Sequence, residues 1–188
     1  VCTNEATQAV EVCRLSCGGH GYLNSAGFQD IYGMVTAAQT YEGENTVMFL
    51  QTARYLIKAW NQALNKEKLT PTVAYLANYV NDSRPKFENS PQGILVALQS
   101  AAAKKIAEAN KHLEEKKKYL SPEEAANQTG IELARAAELH CQAFLLQATI
   151  EVLQDSAKNA SNKLGGVFID LLNLYAVDLA LRYIGSLL

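Results

Sequence analysis

Apolar positions along this chain recur at helical spacing, and short polar or glycine-bearing breaks separate the runs. Leu50, Ala53, Ile57, Trp60 and Leu64 follow at steps of three and four, predicting one apolar face on a helix over residues 44–65. Upstream, Asn4 is placed to cap a helix reaching Ser16, and paired glycines after Cys17 break it. Residues 23–29 read as loop, 30–35 as a short helix and 37–43 as loop again. A shorter helix is expected over 71–81. Residues 83–91 carry Pro85 and Pro91 among mixed charges and read as a linker. Ser90-Pro91 then looks like an N-cap with proline at the first helical position, opening a helix to about residue 119. Ser121-Pro122-Glu123-Glu124 reads as a capping box. Thr129 is expected to cap a helix over 130–155. The polar strip of that helix is Arg135, Glu138, Gln142, Glu151 and Gln154, so the rest of it should be buried. A last helix is predicted over 163–183. Four helices of this length with short joints predict an all-α antiparallel bundle, and no run alternates with period two.

Composition narrows the class. The chain has 188 residues, 48% hydrophobic and 19% charged, with four prolines, which excludes disorder and low complexity. A formal charge of −2 leaves no strong electrostatic footprint for nucleic acid or an anionic membrane. Cys2, Cys13, Cys17 and Cys141 are too unevenly placed for a disulfide scaffold and fit a reducing, intracellular setting. No basic, then apolar, leader opens the sequence. The apolar stretch 165–188 contains Asp170, Asn173, Asp178 and Arg182, so it reads as a buried helix of a soluble protein rather than a membrane span.

Two breaks carry candidate chemistry. In Cys17-Gly18-Gly19-His20-Gly21-Tyr22 the missing side chains would let backbone N–H groups approach an anion, as in phosphate-binding nests; the alternative is a helix end and turn. In Tyr41-Glu42-Gly43-Glu44-Asn45-Thr46-Val47, Glu42 could serve as a general base if shielded from water; the alternative is an acidic residue complementing a helix dipole. Cys13, Cys17 and His20, with Cys2 or His140-Cys141, offer zinc-type ligands, but the C-x3-C-x2-H spacing matches no common zinc pattern. His140 reads as a hydrogen-bonded core histidine, and Lys116-Lys117-Lys118 as a solvated helix face.

Taken in series, Cys13-Arg14-x-x-Cys17-Gly18-Gly19-His20-Gly21-Tyr22, Tyr41-Glu42-Gly43-Glu44-Asn45-Thr46-Val47 and Gln51-Thr52-Ala53-Arg54-Tyr55-Leu56 closely resemble peroxisomal acyl-CoA oxidases. The related dehydrogenases carry Phe-Gly-Gly and Glu-Gly-Thr where this chain has Cys17-Gly18-Gly19 and Glu42-Gly43-Glu44. Glu138-x-His140-Cys141 also looks oxidase-like. The resemblance implies an FAD enzyme that oxidises acyl-CoA to trans-2-enoyl-CoA and reduces oxygen to hydrogen peroxide. It implies Glu42 as catalytic base and acyl-CoA contacts at Tyr41, Glu42 and Gly43. Gly18, Gly19 and Gly21 would approach the FAD pyrophosphate of a partner subunit in a homodimer, with Arg54 and Tyr22 in support.

Members of that family are several-fold longer and begin with a helical domain and a β-domain that this sequence does not show. The expectation is therefore a C-terminal piece: residues 1–82 from the flavin-contacting helical domain, 83–91 as linker, 92–188 from the last helical domain. Such a piece should hold FAD weakly or not at all and lack oxidase activity. The family is peroxisomal, but Ser186-Leu187-Leu188 is not the Ser-Lys-Leu read for import. The alternative is a catalytically silent helical interaction module, dimerising through its apolar helices.

Overall fold

The computed structural model describes residues 1–83 and 87–187. Among them the regular elements are all helical: α1 (Cys2–Ser16), α2 (Phe28–Tyr41), α3 (Asn45–Leu64), α4 (Tyr75–Val80), α5 (Pro91–Lys116), α6 (Pro122–Gln128), α7 (Gly130–Asn159), α8 (Asn162–Arg182) and the short α9 (Ile184–Leu187), with 3-10 turns between some of them. The predicted all-α class is what is observed. The chain forms two compact units, Val1–Gln51 and Thr52–Leu188, with the boundary inside α3. Of the expected linker, residues 84–86 lie outside the described residues.

The first unit is a helical hairpin. Thr7 on α1 donates from its hydroxyl to the Val35 carbonyl on α2 at 3.2 Å, and the Thr3 hydroxyl reaches Asn45 Oδ1 at 3.2 Å. The start of α1 therefore lies beside the end of α2, so the helices run antiparallel. Within residues 1–51 only Thr7 and Gly21 are buried. Val12, Leu15, Ile31 and Met34 stay exposed.

The second unit holds the core. Ile94, Leu98, Ala101 and Ala102 of α5 pack with Leu139, Ala143, Leu146 and Ile150 of α7 and with Leu172, Ala176 and Leu179 of α8. The three long helices run antiparallel in turn. His112 near the end of α5 meets Glu132 at the start of α7, Nδ1 to Oε2 at 2.6 Å. Tyr183 just past α8 donates to Glu138 Oε1 at 2.9 Å, while Gly165 near the start of α8 crosses the end of α7. A Cβ at Gly165 would lie 2.8 Å from the Ala157 carbonyl oxygen, so this close crossing requires glycine.

Local chemistry sets the helix starts. Ser90 Oγ accepts from the Gly93 N–H at 3.1 Å with Pro91 in the first turn, and Ser121 Oγ accepts from Glu124 N–H at 3.2 Å. Thr129 departs from expectation. It does not cap α7. Fully buried, its hydroxyl donates back to the Ala125 carbonyl at 2.9 Å and closes α6, so α6 runs almost directly into α7. The predicted helix over 71–81 is a 3-10 turn, Pro71–Val73, followed by α4.

Two burial expectations change. On α3 the buried stripe is Ala53, Leu56, Ala59, Trp60 and Ala63, while Leu64 is exposed. The buried face is thus rotated from the predicted one, toward Leu56, Ala59 and Ala63 and away from Leu50, Ile57 and Leu64. The stretch 165–188 is not a buried helix: α8 buries only Gly165, Leu172, Ala176 and Leu179 and exposes Leu164, Val167, Leu171, Leu174, Val177 and Leu181. In α7, Ile131, Phe144 and Val152 are likewise exposed, whereas the supposed strip residue Gln142 is buried.

Candidate functional site

The glycine break follows directly from the end of α1. Cys17 caps the helix in right-handed geometry, and Gly18 turns left-handed at φ +58°, a conformation that side-chain-bearing residues rarely take. Residues Gly18–Tyr22 then wind as a 3-10 turn, closed by the Leu23 N–H donating to the His20 carbonyl at 3.2 Å. The glycines divide into two kinds. Gly18 and Gly19 are exposed, and a Cβ on either would meet nothing within 4 Å. Gly21 is buried, and a Cβ there would lie 2.0 Å from the Arg14 carbonyl oxygen. Gly21 is therefore demanded by its packing on α1, and Gly18 and Gly19 leave bare backbone facing solvent.

Around Glu42 the structure corrects the predicted loop. Residues 37–41 are helical and belong to α2, since Ala37, Ala38 and Gln39 are good helix formers. Glu42 is thus the C-cap of α2 rather than the entrance to the next helix, with its N–H directed at the Thr40 carbonyl. The Gly43 N–H also donates to Thr40 O, at 3.0 Å. Gly43 adopts φ +104°, and a Cβ there would lie 2.8 Å from Met48 Sδ. Glu44, not Glu42, is the acid that serves the helix start. Its Oε2 accepts from the Val47 N–H at 2.9 Å, and the backbone N–H groups of Thr46 and Val47 hold its carboxyl below the usual carboxylate range. The Glu42 carboxylate is exposed and makes no hydrogen bond among the described residues. Tyr41 is 71% exposed.

The six predicted site positions all fall in the first unit but not in one pocket. Gly18, Gly19 and Gly21 sit where α1 gives way to α2, and Tyr41, Glu42 and Gly43 at the far end of α2. The fourteen residues of α2 separate them by about 20 Å at 1.5 Å per residue. Beside the glycine turn is an open cleft of about 520 Å³ lined by Glu11, Arg14, Gly21, Tyr22, Gln29 and Tyr32. Arg14 is held across Glu11 by two bonds, Nε to Oε2 at 2.8 Å and Nη2 to Oε1 at 2.7 Å. Sequence reasoning named Tyr22 but missed the Glu11–Arg14 pair, whose three-residue spacing on a helix was the available signal. Arg54 lies on α3 in the second unit.

Among the described residues no group of three or more His, Cys, Asp or Glu is arranged to hold a metal ion. Cys2, Cys13 and Cys17 are free and exposed. His140 is the core histidine expected: its Nδ1 lies 2.9 Å from the Tyr75 hydroxyl, the rings stack at 5.9 Å, and burial lowers its pKa.

Family models give these elements their context. One described as the C-alpha1 domain of acyl-CoA oxidase matches residues 1–57, and one described as acyl-CoA oxidase matches residues 90–188. The chain belongs to the acyl-CoA oxidase family. It is 46% identical over 190 residues to acyl-coenzyme A oxidase 1 of Drosophila melanogaster, covering 100% of this chain and 28% of that protein. It is 34% identical over 169 residues to peroxisomal acyl-coenzyme A oxidase 1 of Homo sapiens, covering 82% of this chain and 26% of that protein. Acyl-CoA oxidase-2 of Caenorhabditis elegans, solved bound with FAD, ascaroside-CoA and ATP, superposes with a TM-score of 0.88 at 29% identity, over 98% of this chain and 28% of that one. This acyl-CoA oxidase chain thus spans little more than a quarter of the relatives it matches.

Proposed function

We propose that this chain is the C-terminal helical part of an FAD-dependent acyl-CoA oxidase, with Glu42 as its catalytic base. What singles Glu42 out is the division of labour between neighbouring acids: Glu44 is engaged in capping α3, while the Glu42 carboxylate is unengaged at the end of α2. A base needs that freedom. It removes the α-proton of the acyl-CoA, which is acidic only when the thioester carbonyl is polarised. In this reading the Glu42 N–H supplies that polarisation and leaves its contact with the Thr40 carbonyl to do so. Tyr41 and Gly43 flank the acyl-CoA, and Gly43, at φ +104°, leaves room for the Met48 side chain where a Cβ would meet it.

A bound FAD would supply the acceptor for the β-hydride, with oxygen as the final oxidant and hydrogen peroxide as its product. The residues present fit such a group: bare backbone at Gly18 and Gly19 suits a pyrophosphate, with Gly21 shaping the turn and Tyr22 beside it. The separation of about 20 Å between this turn and Glu42 favours a homodimer in which each glycine turn serves the partner subunit's flavin. By the same reading residues 1–82 complete a flavin-contacting domain, 83–91 link, and 92–188 belong to the final helical domain of a peroxisomal enzyme.

A carboxylate is a stronger base when desolvated, yet Glu42 is exposed here, so shielding must come from the remainder of the enzyme. The chain by itself is therefore expected to hold no stoichiometric flavin and to consume no oxygen on acyl-CoA. In the full-length protein, Glu42→Gln should abolish turnover while flavin absorbance is retained. Turnover that survives the substitution refutes the assignment of the base.

A further inference from the structure

Cys13 and Cys17 are both exposed, both free, and one helical turn apart at the end of α1, on the same face and immediately before the glycine turn. Neither has a part in the reaction proposed above. We propose that Cys13 and Cys17 form a peroxide-reactive dithiol that closes to a disulfide and thereby reshapes the Gly18–Tyr22 turn. The source of oxidant rests on the acyl-CoA oxidase reading, because hydrogen peroxide is that reaction's product; the pairing itself rests on the geometry.

Residues four apart on a helix hold their Cβ atoms about 5–6 Å apart, and a disulfide needs about 3.5–4.5 Å, so the bond requires a small closure. The chain allows it at Cys17. Cys17 is the cap rather than an interior helical residue, and its N–H bond to the Arg14 carbonyl is long, 3.3 Å, so the last turn is already loosened. Closure would not be silent. The Cys17 Cβ lies 3.2 Å from where a Gly21 Cβ would be, and Gly21 is seated against the Arg14 carbonyl. Drawing Cys17 toward Cys13 therefore displaces the backbone that forms the glycine turn.

The chemistry balances with peroxide alone. One thiolate sulfur attacks a peroxide oxygen; the O–O bond breaks, hydroxide leaves, and the sulfur becomes a sulfenic acid. The second sulfur attacks that sulfenic sulfur; the S–S bond forms, the S–O bond breaks, and water leaves. Two thiols are oxidised and one hydrogen peroxide is reduced to two waters. Among intracellular proteins, disulfides of this kind are transient and redox-sensing rather than structural.

The test uses the full-length protein. Free thiols are labelled with maleimide and mapped by mass spectrometry in three samples: untreated, treated with added hydrogen peroxide, and after turnover on acyl-CoA with or without catalase. The expected result is that Cys13 and Cys17 lose labelling together on peroxide, recover it with dithiothreitol, and are protected by catalase during turnover. In Cys17→Ser, peroxide should leave Cys13 as a sulfenic acid trapped by dimedone. Persistent labelling of both thiols under added peroxide overturns the proposal, as does oxidation of one with the other left free. If added peroxide closes the disulfide but the protein makes none on acyl-CoA, the dithiol stands and the oxidase reading falls.

Discussion

Glu42 and Glu44 share a turn and differ in what their oxygens touch. Glu44→Ala removes the acceptor for the Val47 N–H and should lower the urea unfolding midpoint slightly, as the loss of an exposed helix cap does. It should leave the flavin content of the full-length protein intact, unlike a change that breaks the turn. The glycines separate in the same way. Gly21→Ala has no room beside the Arg14 carbonyl and should lower the melting temperature; Gly19→Ala has room and should leave it unchanged while reducing flavin retention in the full-length protein. Retained flavin in Gly19→Ala would show that this turn is only a helix end. His140 adds a pH dependence. Burial holds its folded-state pKa below the ordinary value near 6.5, so the folded state disfavours the proton that the unfolded chain accepts. The stability it contributes is therefore complete above about pH 6.5 and is lost as the pH falls from there toward the depressed value. Unfolding midpoints measured between pH 7 and 5 should fall less steeply in His140→Asn than in the parent chain.

At the scale of the element, α8 is two helices in one. Its inner face, Leu172, Ala176 and Leu179, is fully enclosed against α5 and α7. Leu172→Ala should cost about 2–5 kcal/mol, as core truncations do. Its outer face is just as apolar, and Leu174 is 67% exposed. Leu174→Ser should change the stability of the monomer by less than about 0.5 kcal/mol. Urea unfolding of the two variants at matched concentrations checks the contrast between the faces.

At the scale of the molecule, apolar burial is distributed unevenly. The second unit has a continuous core through α5, α7 and α8, whereas the first unit buries only Thr7 and Gly21 and carries every residue assigned to the turn and the base. A segment of this size folds alone only with a packed apolar core, and residues 1–51 bury no large apolar side chain. A peptide of residues 1–51 should show no cooperative thermal transition by circular dichroism, while residues 52–188 should melt cooperatively. Cooperative melting of the short peptide would contradict this reading. The candidate chemistry therefore resides on the part of the chain most dependent on covering structure, consistent with a chain that spans 28% of its Drosophila relative.

The helical class, the number of long helices and most of their starts were legible in the sequence because they follow from local rules: apolar spacing, Ser90-Pro91 and Ser121-Pro122 at helix entries, glycine at a helix end. The three loop motifs were legible too, since residue type and order are themselves sequence. What burial decides was not. The buried face of α3 runs through Leu56 and Ala63 and not through Leu64, the Thr129 hydroxyl bonds backward instead of capping forward, and α8 leaves one of two apolar faces uncovered. Apolarity along a chain shows that a face wants cover, not which face receives it. Nor could spacing show that Glu42 ends α2 while Glu44 begins α3, or that an antiparallel hairpin holds the glycine turn and Glu42 at opposite ends. Those facts depend on where the backbone goes, and hydrogen bonds and packing between residues distant in sequence settle that.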